Sequence, residues 1–183
     1  MIEAADDEAL MARVAKGDQL AFRQLSERHV RGAHGLARRI LQNHADAEEV
    51  VQEAFLRLWT NAPRWQPSAA LRTWFYRIVV NLCLNRRRRQ PFAPLEAAGD
   101  PADPRADAAE ALEASQTTKQ VAAAMAELPE RQRTALQLTY YEELSNADTA
   151  AIMGSSISGV EALLVRARKA LRQRLGDTLE RGK

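Results

Sequence analysis

Four prolines stand within residues 91–104, and they constrain what this chain can fold into more than any other feature. Proline lacks a backbone N–H and restricts the residue before it, so no regular helix or strand can run through this segment. Residues 91–114 also carry six acids against one base, Arg105. We therefore predict a flexible acidic linker over 91–114, between a domain at 1–90 and a domain at 115–183.

Helix signals dominate both predicted domains. Alanine, leucine, arginine and glutamate abound, and apolar residues recur at intervals of three and four, as on one face of a helix. The sequence thus predicts an all-α fold of two small helical domains. The expected helices cover residues 8–16, 18–41, 43–59, 69–89 and 116–127, followed by one that Pro129 opens and by a final pair.

Composition argues against several classes of protein. The single cysteine, Cys83, leaves no partner for a disulfide within the chain, and its place beside an apolar stripe favours packing over a redox role. His29, His34 and His44 have no matching carboxylate constellation, so we predict no metal site and no cofactor. No catalytic triad or phosphate-binding glycine loop is visible, so we expect no catalytic residue and no enzyme activity.

Targeting and charge patterns narrow the function further. No apolar run of about 18 residues could span a membrane, and the acidic N-terminus does not resemble a signal peptide, so we expect a cytoplasmic protein. Residues 61–90 carry seven arginines and no acid, and residues 161–183 carry seven basic residues against three acids. This distribution predicts a polyanion held at two places, although two solvated helix ends would look the same.

The stretch from Ser145 to Leu163 has the pattern of a helix-turn-helix. Ser145 starts a helix as a capping residue, Ala150 is small where two helices cross, and Gly154 ends the first helix. Val160 and Leu163 then fall where the second helix must bury its inner face. The pattern predicts a second helix presented to the major groove, the alternative being a helical hairpin that serves only packing.

The second helix of this pair has two distinct sides. Its apolar stripe consists of Val160, Leu163, Leu164, Ala167 and Leu171. The residues expected to face duplex DNA are Ser158, Glu161, Ala162, Val165, Arg166, Lys169 and Arg172. Of these, the three basic side chains are suited to phosphate or guanine contact.

The helix predicted over 46–59 has an apolar residue within an acidic face. Its buried stripe is expected to be Ala47, Val50, Val51, Ala54 and Leu58. The opposite side consists of Asp46, Glu49, Gln52, Glu53 and, among them, Leu56. This arrangement suits docking on a basic partner, although a single exposed leucine is common on any protein.

The helix predicted over 69–89 combines aromatic, amide and arginine groups. Its core stripe is expected to be Leu71, Trp74, Phe75, Ile78 and Leu82, and its other side Thr73, Tyr76, Arg77, Val80, Asn81 and Leu84, closed by Arg86 to Arg89. Such a surface fits single-stranded bases, which need stacking and hydrogen bonding. Tyr76 and Trp65 are the candidate stacking groups, and the alternative is a core aromatic stripe followed by a solvated arginine run.

Three stretches, in this order, carry a resemblance to a known family. Residues 46–59 (DAEEVVQEAFLRLW) look like the core-polymerase-binding helix of bacterial sigma factors, and residues 71–85 (LRTWFYRIVVNLCLN) look like their −10 recognition helix. Residues 128–136 (LPERQRTAL), with the helix-turn-helix, resemble the −35-binding domain. Order and spacing resemble the small extracytoplasmic-function (ECF) group of the sigma-70 family, over nearly the whole chain outside the linker.

The resemblance implies a partner for each surface. Residues 46–59 would dock on the clamp coiled coil of the RNA polymerase β′ subunit, and the C-terminal domain would sit on the β flap while its last helix reads the −35 duplex. A dedicated anti-sigma partner is also implied. The residues that would hold unpaired −10 bases are Trp65, Arg72, Tyr76, Arg77, Asn81, Asn85, Arg86, Arg87 and Arg88.

Two departures from the family pattern are visible. Relatives usually have an apolar residue at the position of Thr149 and often an aromatic one at Asn146, so we expect looser packing there. Early in the second helix, Glu161, Ala162 and Leu163 stand where relatives often have basic or hydroxyl residues. We therefore expect Arg166 to matter more than Glu161.

Two other functions fit parts of the sequence. A dimeric helix-turn-helix repressor or activator, independent of core polymerase, would need a dimer seam and a palindromic site, and it leaves the acidic face at 46–59 unexplained. An enzyme or small-molecule sensor would need a pocket with convergent polar groups, of which the sequence gives no sign.

Overall fold

The computed structural model describes residues 6–67, 70–89 and 119–181, with side chains up to residue 176. Within these ranges the chain is helical and has no strand, which confirms the predicted all-α class. The predicted linker over 91–114 lies outside them. The helices are α1 (Asp7–Val14), α2 (Gln19–Leu41), α3 (His44–Asn61), α4 (Leu71–Arg89), α5 (119–126), α6 (Glu130–Leu136), α7 (Asn146–Met153) and α8 (Ile157–Arg181).

Polar caps determine where the N-terminal helices begin. The Asp18 carboxylate accepts two backbone N–H bonds of 3.0 Å from the first turn of α2. The Asn43 side chain accepts the N–H of Asp46 at 3.0 Å and so caps the start of α3. Only Gln42 and Asn43 separate α2 from α3, and Gln42 has a positive φ of 56°, so the two helices form a tight helical hairpin.

Helices α1 to α4 share one apolar core. Phe22 makes edge-on ring contacts with Phe55 and Trp59 at its border. Each large side chain removed from water contributes on the order of 2 kcal/mol. The largest buried apolar side chains of this core are Leu10, Met11, Leu25, Leu36, Ile40, Leu58, Phe75, Val79 and Val80.

Helices α5 to α8 enclose a smaller core. Its buried members are Met125, Leu128, Ala135, Leu136, Ala150, Val160, Leu164 and Ala167. The long side chain of Arg133 is also buried, and its Nη1 donates a hydrogen bond of 2.9 Å to the carbonyl of Ala126. This bond satisfies a carbonyl at the end of α5 that has no partner inside the helix.

The α7–α8 pair has the predicted helix-turn-helix geometry. The Ser145 hydroxyl accepts the N–H of Asp148 at 3.0 Å, and Gly154 ends α7 at a φ of 58°. Helix α8 then leaves at 100° to α7, within the range of helix-turn-helix units. Thr149, one of the two departures from the family pattern, is buried, and its hydroxyl lies 3.4 Å from that of Thr139.

The two halves of the chain pack against each other. Leu138, Leu144 and Ile152 come from the C-terminal half but belong to the core that α1 to α4 build. The Gln137 side chain donates a hydrogen bond of 2.9 Å to the carbonyl of Arg39 in α2. In this arrangement α4 lies between the rest of its own bundle and α7.

Glu142 lies at the centre of this contact, with only 6% of its side chain exposed. Its carboxylate accepts hydrogen bonds from the guanidinium groups of Arg39 and Arg72, and from the Tyr76 hydroxyl at 2.8 Å. Its backbone carbonyl accepts a further bond of 2.8 Å from Arg72. A Cβ at Gly32 would clash with the Tyr76 hydroxyl at 2.3 Å. Glycine at this position therefore leaves space for the hydroxyl that binds Glu142.

This packing corrects part of the sequence-based assignment of α4. Thr73, Tyr76 and Val80 are buried, although the helical phase had placed them opposite the core stripe. The reason is that the C-terminal half covers this second face, where the Thr73 hydroxyl donates to Asp148 Oδ1 at 3.0 Å. Trp74 and Ile78, assigned to the core, are only half-buried.

Gly154 and Gly176 together test whether the positive φ at the end of α7 is what requires glycine there. A methyl group added to either Cα would meet no other atom within 4 Å, so steric clash is the same in both cases. At Gly154 the positive φ disfavours any side chain, so Gly154→Ala should lower the free energy of unfolding by about 1–2 kcal/mol. Gly176→Ala, inside α8, should instead raise it by up to about 1 kcal/mol. Urea unfolding followed by circular dichroism measures both, and equal effects of the same sign would contradict the explanation.

Candidate docking and nucleic-acid surfaces

The acidic face of α3 lies at the surface as predicted. The stripe Ala47, Val50, Val51, Ala54 and Leu58 is buried. On the other side Glu49 and Gln52 are exposed, Asp46 and Glu53 are half-buried, and Leu56 is 59% exposed. Leu56 is thus an exposed apolar side chain on a face that carries three acids, of which Glu53 lies one turn before it and pairs with Arg57 at 2.8 Å. This face offers a partner one apolar anchor with acidic groups beside it.

Arg86 connects this acidic face to the end of α4. Its guanidinium binds the carboxylates of Asp46 and Glu49, the latter at 2.6 Å. The hydrogen bond to Glu49 is the main reason why the pKa of Arg86 is raised. The sequence assigned Arg86 to DNA and the two acids to a protein partner, whereas the structure brings all three together.

The other predicted −10 residues fall into two groups. The exposed group consists of Arg77, Asn81, Asn85 and Arg88, which lie within about 80° of one another around α4. Trp65 is half-buried in the loop after α3, and among the described residues its indole N–H has no hydrogen-bond partner. Arg77, Asn81, Asn85 and Arg88 form an exposed strip of amide and guanidinium groups along α4.

The second group is engaged inside the protein. Tyr76 is 2% exposed and its hydroxyl is bound to Glu142, so its ring cannot stack on a base in this arrangement. Arg72 donates to Glu142 through its Nη2, while 42% of its side chain remains exposed. Arg87 donates a hydrogen bond of 3.0 Å to the carbonyl of Ile40 and lies 3.3 Å from a carboxylate oxygen of Glu130. The prediction that Tyr76 lies on an outer face of α4 was therefore wrong, because Tyr76 is buried against Glu142.

Helix α8 presents all seven predicted duplex-facing residues to solvent. Val160, Leu164 and Ala167 are buried on its inner side. The exposed set is Ser158, Glu161, Ala162, Val165, Arg166, Lys169 and Arg172. The Ser156 hydroxyl accepts the N–H of Gly159 at 3.1 Å and so stabilises the first turn of α8.

Cys83 lies in the core of the N-terminal half. It is fully buried, and burial raises the pKa of its thiol to about 12. Only a negligible fraction of the Cys83 thiol would be thiolate near neutral pH, so the expected packing role fits this environment.

No single helix of the described residues is long and apolar enough to cross a membrane.

Sequence reasoning missed two groupings that only the fold assembles. Glu142 carries no signal of its own, because a glutamate that follows two tyrosines and precedes Glu143 is normally a solvated residue. His34, His44 and Glu48 lie together on α2 and α3, although the histidines appeared unrelated in the sequence. The spacing of His44 and Glu48 at i and i+4 was the one available hint.

Comparison with known proteins decides between the functions that these surfaces allow. Sigma-70 region 2 matches residues 25–91, and Sigma-70, region 4 matches residues 118–171. The chain is 38% identical to the ECF RNA polymerase sigma factor SigM of Mycobacterium tuberculosis, over 95% of this chain and 86% of that protein. It belongs to the ECF group of RNA polymerase sigma factors.

Other relatives agree in sequence and in structure. The ECF RNA polymerase sigma factor SigW of Bacillus subtilis is 33% identical, over 90% of this chain and 94% of that protein. The solved structure of CnrH in complex with the cytosolic domain of CnrY has a TM-score of 0.73 and 28% identity, covering 96% of this chain and 99% of that chain. RpoE of Bartonella quintana, solved with the anti-sigma factor NepR, shares the fold at a TM-score of 0.71 and 21% identity, over 85% and 96% of the two chains.

Proposed function

We propose that this sigma factor binds core RNA polymerase, directs it to promoters through −10 and −35 elements, and promotes strand opening. The observation that carries the proposal is the exposed outer side of α8, set at 100° to α7, in a chain of this family. Residues 1–90 and 115–183 would act as the −10 and −35 units, joined by the linker. The protein would act in the cytoplasm, as an initiation subunit without catalytic activity of its own.

The contact with core polymerase is proposed for the acidic face of α3. Leu56 would enter an apolar recess on the β′ clamp, while Asp46, Glu49, Gln52 and Glu53 meet basic residues around it. The exposure of Leu56 supports this, because a buried leucine could not serve as an anchor. The β flap would hold the C-terminal half.

The contact with the −10 element is proposed for α4 and the loop before it. Arg77, Asn81, Asn85 and Arg88 supply amide and guanidinium donors along one exposed strip. Unpaired bases can be held by such groups and by the Trp65 ring, and a preference for unpaired over stacked bases favours strand opening. Arg72 and Tyr76 could join this surface only if Glu142 moved away from them.

An anti-sigma protein is proposed as the regulatory partner. Two of the similar structures were solved as complexes, one with the cytosolic domain of CnrY and one with the anti-sigma factor NepR. The acidic face of α3 and the exposed side of α8 are surfaces that such a protein could cover.

The docking face can be tested by replacing Glu53 and Leu56 together with alanine. We expect the variant to lose binding to core polymerase, because the apolar anchor and part of its acidic rim disappear, while its circular dichroism stays that of the wild type. Co-purification with core enzyme measures the effect. Leu20→Ala is the matched control, since Leu20 is 68% exposed on α2, outside the proposed face. Wild-type holoenzyme assembly by the double variant would rule the face out.

The −35 contact can be tested with Arg166→Ala. If Arg166 makes a bidentate contact with guanine, binding to a −35 duplex should weaken by about 1–3 kcal/mol and discrimination at that base should relax. Arg168→Ala is the control, because Arg168 lies on the flank and its Nε donates to the carbonyl of Leu164 in its own helix. Equal losses for both variants would mean that α8 reads only overall charge.

A further inference from the structure

The geometry points to a binding site for a zinc-class divalent metal ion at the α2–α3 corner, formed by His34, His44 and Glu48. One ligand atom of each residue lies within 4.8 Å of the other two. The imidazole rings of His34 and His44 have centroids 5.1 Å apart, and His44 Nδ1 is 3.5 Å from a carboxylate oxygen of Glu48. Three potential ligands thus converge from two helices.

A short, capped connection positions the two helices that carry these residues. Gln42 and Asn43 alone connect the helices, and the Asn43 cap holds His44 at the first position of α3. Glu48 follows one helical turn later on the same face. Ligands in a tetrahedral zinc site are roughly 3.4 Å apart, so the side chains need to move by only about 1 Å to close on an ion.

The donor set favours a first-row transition metal ion such as zinc. Two imidazoles and one carboxylate, with the fourth position open to water, form a known type of open zinc site. Magnesium and calcium prefer oxygen ligands alone, so they are excluded by the two histidines. His44 and Glu48 are exposed and His34 is half-buried, so the ion can enter and leave from solvent.

The site lies on the helix that carries the proposed polymerase-docking face. His44 is two residues before Asp46, but it belongs to the side of α3 that faces α2. A bound ion would cross-link the two helices and stabilise this corner. The metal site itself does not depend on the proposed function, because its evidence is the convergence of the three ligands.

Calorimetric titration of the chelator-treated full chain with Zn²⁺ tests the site. We expect one saturable equivalent, with tetrahedral visible bands when Co²⁺ is used instead, and loss of both in His34→Ala and His44→Ala. Glu48→Gln should weaken binding. His29→Gln is the matched control, because it removes the third histidine, which binds Asp7 at 2.7 Å instead. Wild-type binding no tighter than that of the His34→Ala/His44→Ala double variant would overturn the site.

A second inference rests on a different observation, the contact of Glu142 with Arg72 and Tyr76. It depends on the proposed function, since it concerns the surface for −10 DNA. We infer that Glu142 is an internal competitor for that DNA: it occupies the donors that an unpaired strand would use. A carboxylate and a phosphate compete for the same guanidinium, and Glu142 engages the Arg72 Nη2 that a DNA phosphate would use, although 42% of the Arg72 side chain stays exposed.

We expect the contact between the two halves around Glu142 to form or separate as a whole. We call this contact the latch: it is closed in the structure and open when the halves separate. Leu138, Leu144 and Ile152 leave the N-terminal core when Glu142 leaves Arg39 and Arg72, because all of them belong to the C-terminal half. In the closed form the outer side of α8 remains exposed, so the −35 surface is available while part of the −10 surface is covered. Core polymerase would favour the open form by binding each half separately.

Glu142→Ala tests this latch, with Glu143→Ala as the control that removes the same charge from an exposed neighbour. For the Glu142 variant we expect a larger radius of gyration in X-ray scattering and severalfold tighter binding of a mixed-sequence single-stranded oligodeoxynucleotide. Gln137→Ala, which removes the bond to the Arg39 carbonyl, should act in the same direction.

Two results would overturn the latch. One is a wild-type radius of gyration for both variants, and the other is opening without an affinity gain over Glu143→Ala. Neither readout involves polymerase. A chain that fails this test yet assembles with core enzyme through Leu56 would leave the proposed function standing.

Discussion

The buried carboxylate of Glu142 determines how the two halves of this protein meet. A negative charge with so little exposure is stable only when donors surround it, and Arg39, Arg72 and Tyr76 supply them from the opposite half. Burial, followed by the charge of Glu142, raises the pKa of Tyr76 to about 12, so the phenol remains a proton donor. A placement that buried this charge away from the three donors would be strongly unfavourable, whereas separation of the two halves would return the charge to water.

The contact around Glu142 leaves some of the proposed binding surfaces exposed and covers part of another. The acidic face of α3 and the outer side of α8 point away from the contact, whereas Arg72 and Tyr76 point into it. A similar pairing occurs at Arg86, which forms ion pairs with both Asp46 and Glu49 on the edge of the docking face. At these two places, therefore, basic and acidic side chains of the chain pair with one another, whereas the basic residues on the outer side of α8 remain exposed.

The helix-turn-helix shows how much of a functional site local chemistry can determine. Ser145 caps α7, Gly154 supplies the positive φ, and Val160 faces the small core, all within a few residues of one another. No distant contact is needed to place these groups. For this reason the exposed residues of α8 followed from helical phase alone, and the same was true of the buried stripe and the acidic face of α3.

The sequence by itself determined the helical class, the boundaries of most helices, the family and the outward residues of α3 and α8, because periodicity and capping are local properties. Only the tertiary structure decided that α4 has two buried faces, that Tyr76 is a partner of Glu142, and that His34 meets His44. The helical phase of apolar residues identifies one preferred buried face. It carries no information about another part of the protein, here the C-terminal half, that packs on the opposite face. Contacts between residues far apart in the chain follow from how the helices pack, which a single sequence does not reveal.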